Sequence, residues 1–278
     1  MKTSCCSPVL AAALTLAACS WSRAAVIEFT GSEGYTNGAL WSQTPSSGYA
    51  WNTISDFSVN TGGGGSVTTS PAANTNSFPA RYSQGFSSAA GQTLSLSMDF
   101  TFLGVNVTNA PAGAGDRQYI SNLNFGGSPT GIFDGVIGGN ITTLEFAPSG
   151  VYSFQVFSNQ YVTFLPSAVG LTTSGGSTSE NLRLTLTATV APVGQTSYTM
   201  ELFNLDTNAS VASVTGSADL SSYSSLYAAF SGGGSPVTGT QLTATRLEIQ
   251  SVPEPAVSLL AGLGIALVLG RRRLTSRI

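Results

Sequence analysis

The sequence predicts an all-β chain folded as an antiparallel two-sheet sandwich, on three observations. Apolar residues alternate with polar ones at period two through several stretches. Clusters of Gly, Asn, Asp and Ser interrupt those stretches at short intervals. Charged residues make up only 8% of the chain, too few for amphipathic helices, whose solvent face needs Lys and Glu. The 278 residues suffice for one large domain or two small ones.

Taken in order, a strand is predicted over residues 26–29. Leu94, Leu96, Met98, Phe100 and Phe102 then share one face, opposed by Ser95, Ser97, Asp99 and Thr101. Shorter apolar runs predict strands at 119–125, 142–146, 152–157 and 161–165. Leu182, Leu184, Leu186, Ala188 and Val190 repeat the alternation against Arg183, Thr185, Thr187 and Thr189. Tyr198, Met200 and Leu202 open another strand. It reaches the turn-forming Asp206-Thr207-Asn208-Ala209 and returns through 211–214, which reads as a hairpin. Strands at 226–230 and 242–249 complete the set. Glycines at 62–65, 126–127, 138–139, 175–176 and 232–234 are expected at the turns. No repeat of fixed period is present, which argues against a solenoid or propeller.

The start of this body carries Glu33-Gly34-Tyr35-Thr36-Asn37-Gly38-Ala39-Leu40, followed by Trp51. It resembles the first turn of concanavalin A-like, laminin G-type jelly rolls found in exported bacterial proteins. The resemblance implies a jelly-roll sandwich in which the final strand, 242–249, returns beside the first.

Both ends read as targeting segments. Lys2 precedes an apolar run over 9–18, too short to span a bilayer and fitting a signal-peptide core. Ser22 and Ala24 supply the small residues for cleavage after Ala24. An alternative is a lipobox, Leu16-Ala17-Ala18-Cys19, with lipidation of Cys19. At the other end Val252-Pro253-Glu254-Pro255 is followed by an apolar run over 256–270 and then Arg271, Arg272 and Arg273. As a helix that run spans roughly 22 Å, short of a hydrocarbon core of about 30 Å. The arginines are expected to hold its end in the cytoplasm. The prolines keep the preceding segment extended, as entry into a protease groove requires. The predicted organisation is therefore a signal peptide over 1–24, a β-sandwich over 25–251 and a tail over 252–278.

That tail closely resembles the PEP-CTERM sorting signal. The resemblance implies recognition by an exosortase in a Gram-negative bacterium that makes exopolysaccharide, with Glu254 and its flanking prolines as recognition residues. It also implies transient anchoring in the inner membrane before delivery to the cell surface or extracellular matrix.

Between the ends the chain holds four arginines, Arg81, Arg117, Arg183 and Arg246, against twelve acids, a formal charge of −8. Such a body argues against nucleic-acid binding, which depends on neutralising phosphates. The chain has no His, so a Ser-His-Asp triad and every His-ligated metal site are excluded. Its three Cys, at 5, 6 and 19, all precede the predicted cleavage site, which leaves no thiol or disulfide. Without a Lys in the body, Ser-Lys and Schiff-base chemistry are also excluded.

A glycosidase needs two carboxylates facing each other across a sugar. Asp99, Glu145, Glu180, Glu201 and Glu248 are isolated in sequence, and Glu201 and Asp206 stand five apart. No enzyme is expected and no cofactor is required. Calcium is a candidate at Asp116, Asn122, Asn124 and Asp134, which offer oxygen ligands. The competing role of these residues is to bond their own backbone in turns. Trp41, Tyr49, Trp51, Tyr82 and Tyr119 are candidates for stacking on sugars, with Trp41 and Trp51 expected in the core. Asn106, Asn140 and Asn208 head N-glycosylation triplets, and no modification is predicted.

The expectation is a non-enzymatic surface or matrix protein. A carbohydrate-binding module that engages extracellular polysaccharide is the alternative, and a secreted glycan hydrolase a third and weaker one.

Overall fold

The computed structural model describes residues 23–52, 57–69, 80–104, 119–131, 134–143, 151–172, 177–234 and 241–253. Sixteen strands carry them. They are β1 (Arg23–Ile27), β2 (Gly38–Ala39), β3 (Trp51–Asn52), β4 (Phe57–Asn60), β5 (Ser66–Thr69), β6 (Ala80–Ser87), β7 (Gln92–Phe102), β8 (Tyr119–Gly126), β9 (Gly135–Thr143), β10 (Tyr152–Val156), β11 (Tyr161–Phe164), β12 (Leu182–Thr189), β13 (Gln195–Asn204), β14 (Ala209–Asp219), β15 (Ser225–Gly234) and β16 (Leu242–Pro253). Helical pieces among the described residues are 3-10 turns of three or four residues. None of their helices is long and apolar enough to cross a membrane. The predicted apolar helix at 256–270 lies outside them, as do Cys19, Glu254, Pro255 and the terminal arginines.

The strands form two antiparallel sheets. One has nine strands in the order β14-β13-β12-β7-β16-β5-β4-β2, with β1 also paired to β16. The other has seven, in the order β11-β10-β9-β8-β15-β6-β3. Alternation decides which face each strand buries. Leu94, Leu96, Met98, Phe100 and Phe102 of β7 all point inward. Leu96 lies opposite Leu186 of β12 and Ile249 of β16. Leu123, Phe125, Ile137, Ile141, Phe154, Val156, Leu226 and Phe230 answer them from the seven-stranded sheet. Each such side chain contributes about 1.5–3 kcal/mol on burial, which is what a sandwich without disulfides relies on.

The predicted hairpin is present. β13 and β14 are joined through Asp206-Thr207-Asn208, where Asn208 takes φ 53°. The Asp206 carboxylate accepts hydrogen bonds from the Asn181 backbone N–H (2.8 Å) and side-chain amide (2.9 Å), which hold its pKa below the ordinary 3.8. The final strand returns beside the first as expected, Leu247 facing Ile27 and Ser251 facing Arg23. Two acids expected to stand alone have cationic partners. Arg183 grips Asp99 through Nε (2.6 Å) and a terminal nitrogen (2.8 Å), and Arg246 pairs with Glu248 (2.7 Å).

Several boundaries differ from expectation. The first strand ends at Ile27, because Phe29 adopts φ 58° and turns its ring into the core with no exposed surface. Gly65, at φ +85°, makes this turn feasible, since a Cβ there would lie 2.0 Å from the Glu28 carbonyl oxygen. Gly138 and Gly139 are not a turn but the middle of β9, and Gly232 lies within β15. The strand expected at 142–146 is the end of β9, whose last residue is Thr143. Gly175 and Gly176 lie outside the described residues. At the margins of the described residues, Arg23 and Ala24 belong to β1, and Val252 and Pro253 continue β16 opposite Thr93 and Gln92.

Buried phenols give the fold an alkaline limit. Burial is the largest cause raising the pKa of Tyr35, Tyr82 and Tyr198 above the ordinary 10.0. Groups whose folded pKa is raised stabilise the fold fully below the unfolded value, and that stability is lost as pH rises past it. We expect cooperative unfolding above pH ~10, with these three of the nine tyrosines ionising only as it proceeds. Absorbance titration of tyrosinate alongside circular dichroism checks this; smooth ionisation of all nine near pH 10 in the folded protein would contradict it.

A candidate ligand-binding face on the seven-stranded sheet

The outer face of the seven-stranded sheet is set by the same alternation that fills the core. In β8 the inward residues are Leu123 and Phe125, which leaves Asn122 and Asn124 outward. The register then aligns polar residues across five strands. Ser231 of β15 lies opposite Asn122, Asn122 opposite Asn140 of β9, Asn140 opposite Gln155 of β10, and Gln155 opposite Tyr161 of β11. Tyr161 is 59% exposed. A neighbouring row runs through Tyr119, Thr142, Ser153 and Thr163. Asn140 Oδ1 and Thr142 Oγ1 are both shielded from water and without a hydrogen-bond partner among the described residues. Buried oxygens of this kind are rare in native folds, because each forgoes its hydration.

At one end of the face the loop between β8 and β9 folds over the sheet onto Arg81 of β6, whose side chain is 1% exposed. Arg81 Nε donates to the Gly131 carbonyl (2.9 Å) and one terminal nitrogen to that of Tyr227 (2.9 Å). The other reaches Asn124 Oδ1 (3.4 Å) and pairs with Asp134 Oδ1 (2.9 Å). Desolvation lowers the Arg81 pKa, and the Asp134 charge opposes that shift. Asp134 Oδ2 accepts from the Ser128 backbone N–H (2.6 Å), and Asn52 ties the loop down by donating to the Pro129 carbonyl (2.6 Å). Gly126 leaves space for the guanidinium, since a Cβ there would lie 1.9 Å from it. Gly135 does the same for the ring of Phe157, which is 36% exposed.

The sequence candidates separate here. Asn122, Asn124 and Asp134 come together on this face, with Asn124 Nδ2 donating to Asn122 Oδ1 (2.7 Å). Asp116 lies outside the described residues, and the described ones hold no group of three or more His, Cys, Asp or Glu arranged for a metal. Among the aromatic candidates, Trp51 and Tyr82 are core residues, 5.1 Å apart between rings. Trp41 is not: the 3-10 turn Leu40–Ser42 buries Leu40 and leaves Trp41 62% exposed. Tyr49 is partly exposed, its ring against Tyr82. Tyr119 contributes to the ladder of β8. Sequence reasoning missed Arg81, Asn140, Phe157 and Tyr161. The available signal was Arg81 itself, one of four cations in an acidic body.

Two solved structures share this architecture along nearly their whole length. The lectin UEA-II complexed with galactose is 14% identical, with 83% of this chain and 98% of that chain covered and a TM-score of 0.50. The peanut lectin with a nine-residue peptide is 12% identical, with 84% and 98% covered and a TM-score of 0.50. At such identities the likeness concerns the fold. The body thus has an antiparallel jelly-roll fold, concanavalin A-like in architecture. No protein-family model matches the sequence, and no curated protein matches it either.

Proposed function

We propose that this is an exported carbohydrate-binding protein whose glycan lies across the outer face of the seven-stranded sheet, over β8 to β11. The observation that carries this reading is the cross-strand row Ser231–Asn122–Asn140–Gln155–Tyr161, which ends on the exposed ring of Tyr161. Amides both donate to and accept from hydroxyls, and an exposed ring stacks on the apolar face of a pyranose. The lectin fold supports the reading by analogy. Asp134 is the one carboxylate on this face among the described residues, and Arg81 holds it. The acidic body favours neutral over polyanionic glycans.

The targeting segments complete the proposal. The signal-like segment before Ala25 exports the chain, and the tail from Val252 through Glu254 to Arg273 delivers it by exosortase processing to the surface or an exopolysaccharide matrix. Intact mass of the protein from its native host tests this part; a cytosolic chain with both ends retained would overturn it.

Calorimetric titration with neutral polysaccharides tests the body. Tyr161→Ala and Asn140→Ala should each weaken binding about 10-fold, the equivalent of ~1.4 kcal/mol, whereas Trp41→Ala should leave it unchanged. Absence of binding to any polysaccharide, or variants that bind like the parent, would overturn the assignment.

A further inference from the structure

We infer that Arg81 is a built-in cation that orders the loop over the ligand face, so that this loop and the face beneath it need no metal ion. The guanidinium is surrounded by four oxygens: the Gly131 and Tyr227 carbonyls, the Asn124 amide oxygen and the Asp134 carboxylate. Backbone carbonyls, an Asn amide and an Asp carboxylate are also the ligand types that calcium prefers. Here three of them accept N–H bonds from the guanidinium, and the Asp134 oxygen, which has no hydrogen bond among the described residues, is paired with it by charge at 2.9 Å. Calcium takes six to eight oxygens, and the Asp134 oxygen it would need already lies 2.9 Å from a positive nitrogen. The remaining calcium candidate on the face, Asn122, spends its oxygen on Asn124. The donor set therefore fits a guanidinium and not a metal ion.

The arrangement is built from three strands. β6 supplies the cation, β15 a carbonyl and β8 an amide, while Gly126 removes the side chain that would collide with the guanidinium. The loop closes on itself at the same place, with the Gly127 N–H donating to the Asp134 carbonyl (3.2 Å) and the Ser128 N–H to its carboxylate (2.6 Å). Arg81 is a positioning residue: it fixes Asp134 and Asn124, and through them the end of the face that carries Asn122 and Phe157. Its effect on a bound glycan rests on the function proposed above; its effect on the loop does not.

Hydrogen–deuterium exchange of the full chain at the Gly127 and Ser128 amides tests the inference. Their protection should be the same in excess EDTA and in added calcium chloride. In Arg81→Ala it should fall on the order of 100-fold, the loss expected when a buried charge pair is broken, while the amides of β7 and β12 stay protected. Methylguanidinium should restore part of it, and Arg81→Lys should not, because an ammonium cannot address four separated oxygens. If Arg81→Ala does not fold, Asp134→Asn should show the same local loss, and the EDTA comparison on the parent protein stands alone. Loop protection that vanishes in EDTA, or persists unchanged in both variants, would overturn the inference. A chelator-insensitive loop on a protein that binds no polysaccharide would overturn the glycan assignment and leave this one standing.

Discussion

Replacement of Trp51 by alanine should lower the thermal midpoint by roughly 8–16 °C, taking ~4 kcal/mol for a buried Trp and 2–4 °C per kcal/mol at this domain size. Trp51 sits in the short edge strand β3 with 2% of its surface exposed. Its ring lies 5.1 Å from Tyr82, 5.5 Å from Phe230 and 6.0 Å from Phe29, so one side chain ties β3, β6 and β15 of the seven-stranded sheet to the left-handed turn at Phe29. Its indole N–H also donates to the Tyr35 hydroxyl (2.8 Å). Alanine therefore opens a cavity and leaves that hydroxyl without its donor. Trp51→Phe should recover most of the packing but not the hydrogen bond. Thermal and urea melts of the two variants decide the point; a shift under 3 °C for Trp51→Ala would show that the cluster does not hold this end of the sandwich.

Gly139→Ala should cost about 3 kcal/mol, a typical figure for overpacking a close-packed interior, and lower the midpoint by roughly 6–12 °C. A Cβ at Gly139 would stand 2.2 Å from the Gln155 carbonyl oxygen and 2.8 Å from the Met200 sulfur. The first neighbour is backbone of the paired strand β10, which cannot swing aside as a long side chain can. Gly31→Ala is the control, because nothing lies within 4 Å of that position, and it should change stability by less than ~0.5 kcal/mol. Equal melting of the two variants would mean that β9 and β10 separate freely.

This glycine also shows where the sequence stops being legible. The two-sheet fold could be read from Leu94 to Phe102 and from Leu182 to Val190 because period-two burial leaves its mark on every second residue. A Gly-Gly pair has two physical causes, a turn and a close backbone approach, and the sequence does not separate them. At 138–139 the second applies, so the predicted turn lies in the middle of a strand. Trp41 misleads for a related reason: its size suggests burial, but its position in a three-residue turn beside Leu40 gives the buried place to the smaller side chain.

The candidate site was legible only as residue types. Asn122, Asn124 and Asp134 stood out as oxygen donors, and the structure does bring them together. Arg81, the partner that Asn124 and Asp134 share, lies more than forty positions from each in the chain, and only the pairing of β6 with β15 and β15 with β8 connects it to Asn124. Likewise Asn140 and Tyr161 become neighbours of Gln155 through strand register, which composition does not encode.

The place of β16 has a consequence for how the molecule comes into being. This strand pairs with β7, β5 and β1, and without it the nine-stranded sheet falls into separate pieces, β14-β13-β12-β7 and β5-β4-β2, with β1 unattached. It is also the last of the described strands in chain order. The larger sheet therefore cannot close until β16 has been made, and the contacts that closure must form are far apart in the chain, which slows folding. Until then β1 and the β5-β4-β2 ribbon have no strand to join them to β7, and the sandwich locks only once β16 bridges them.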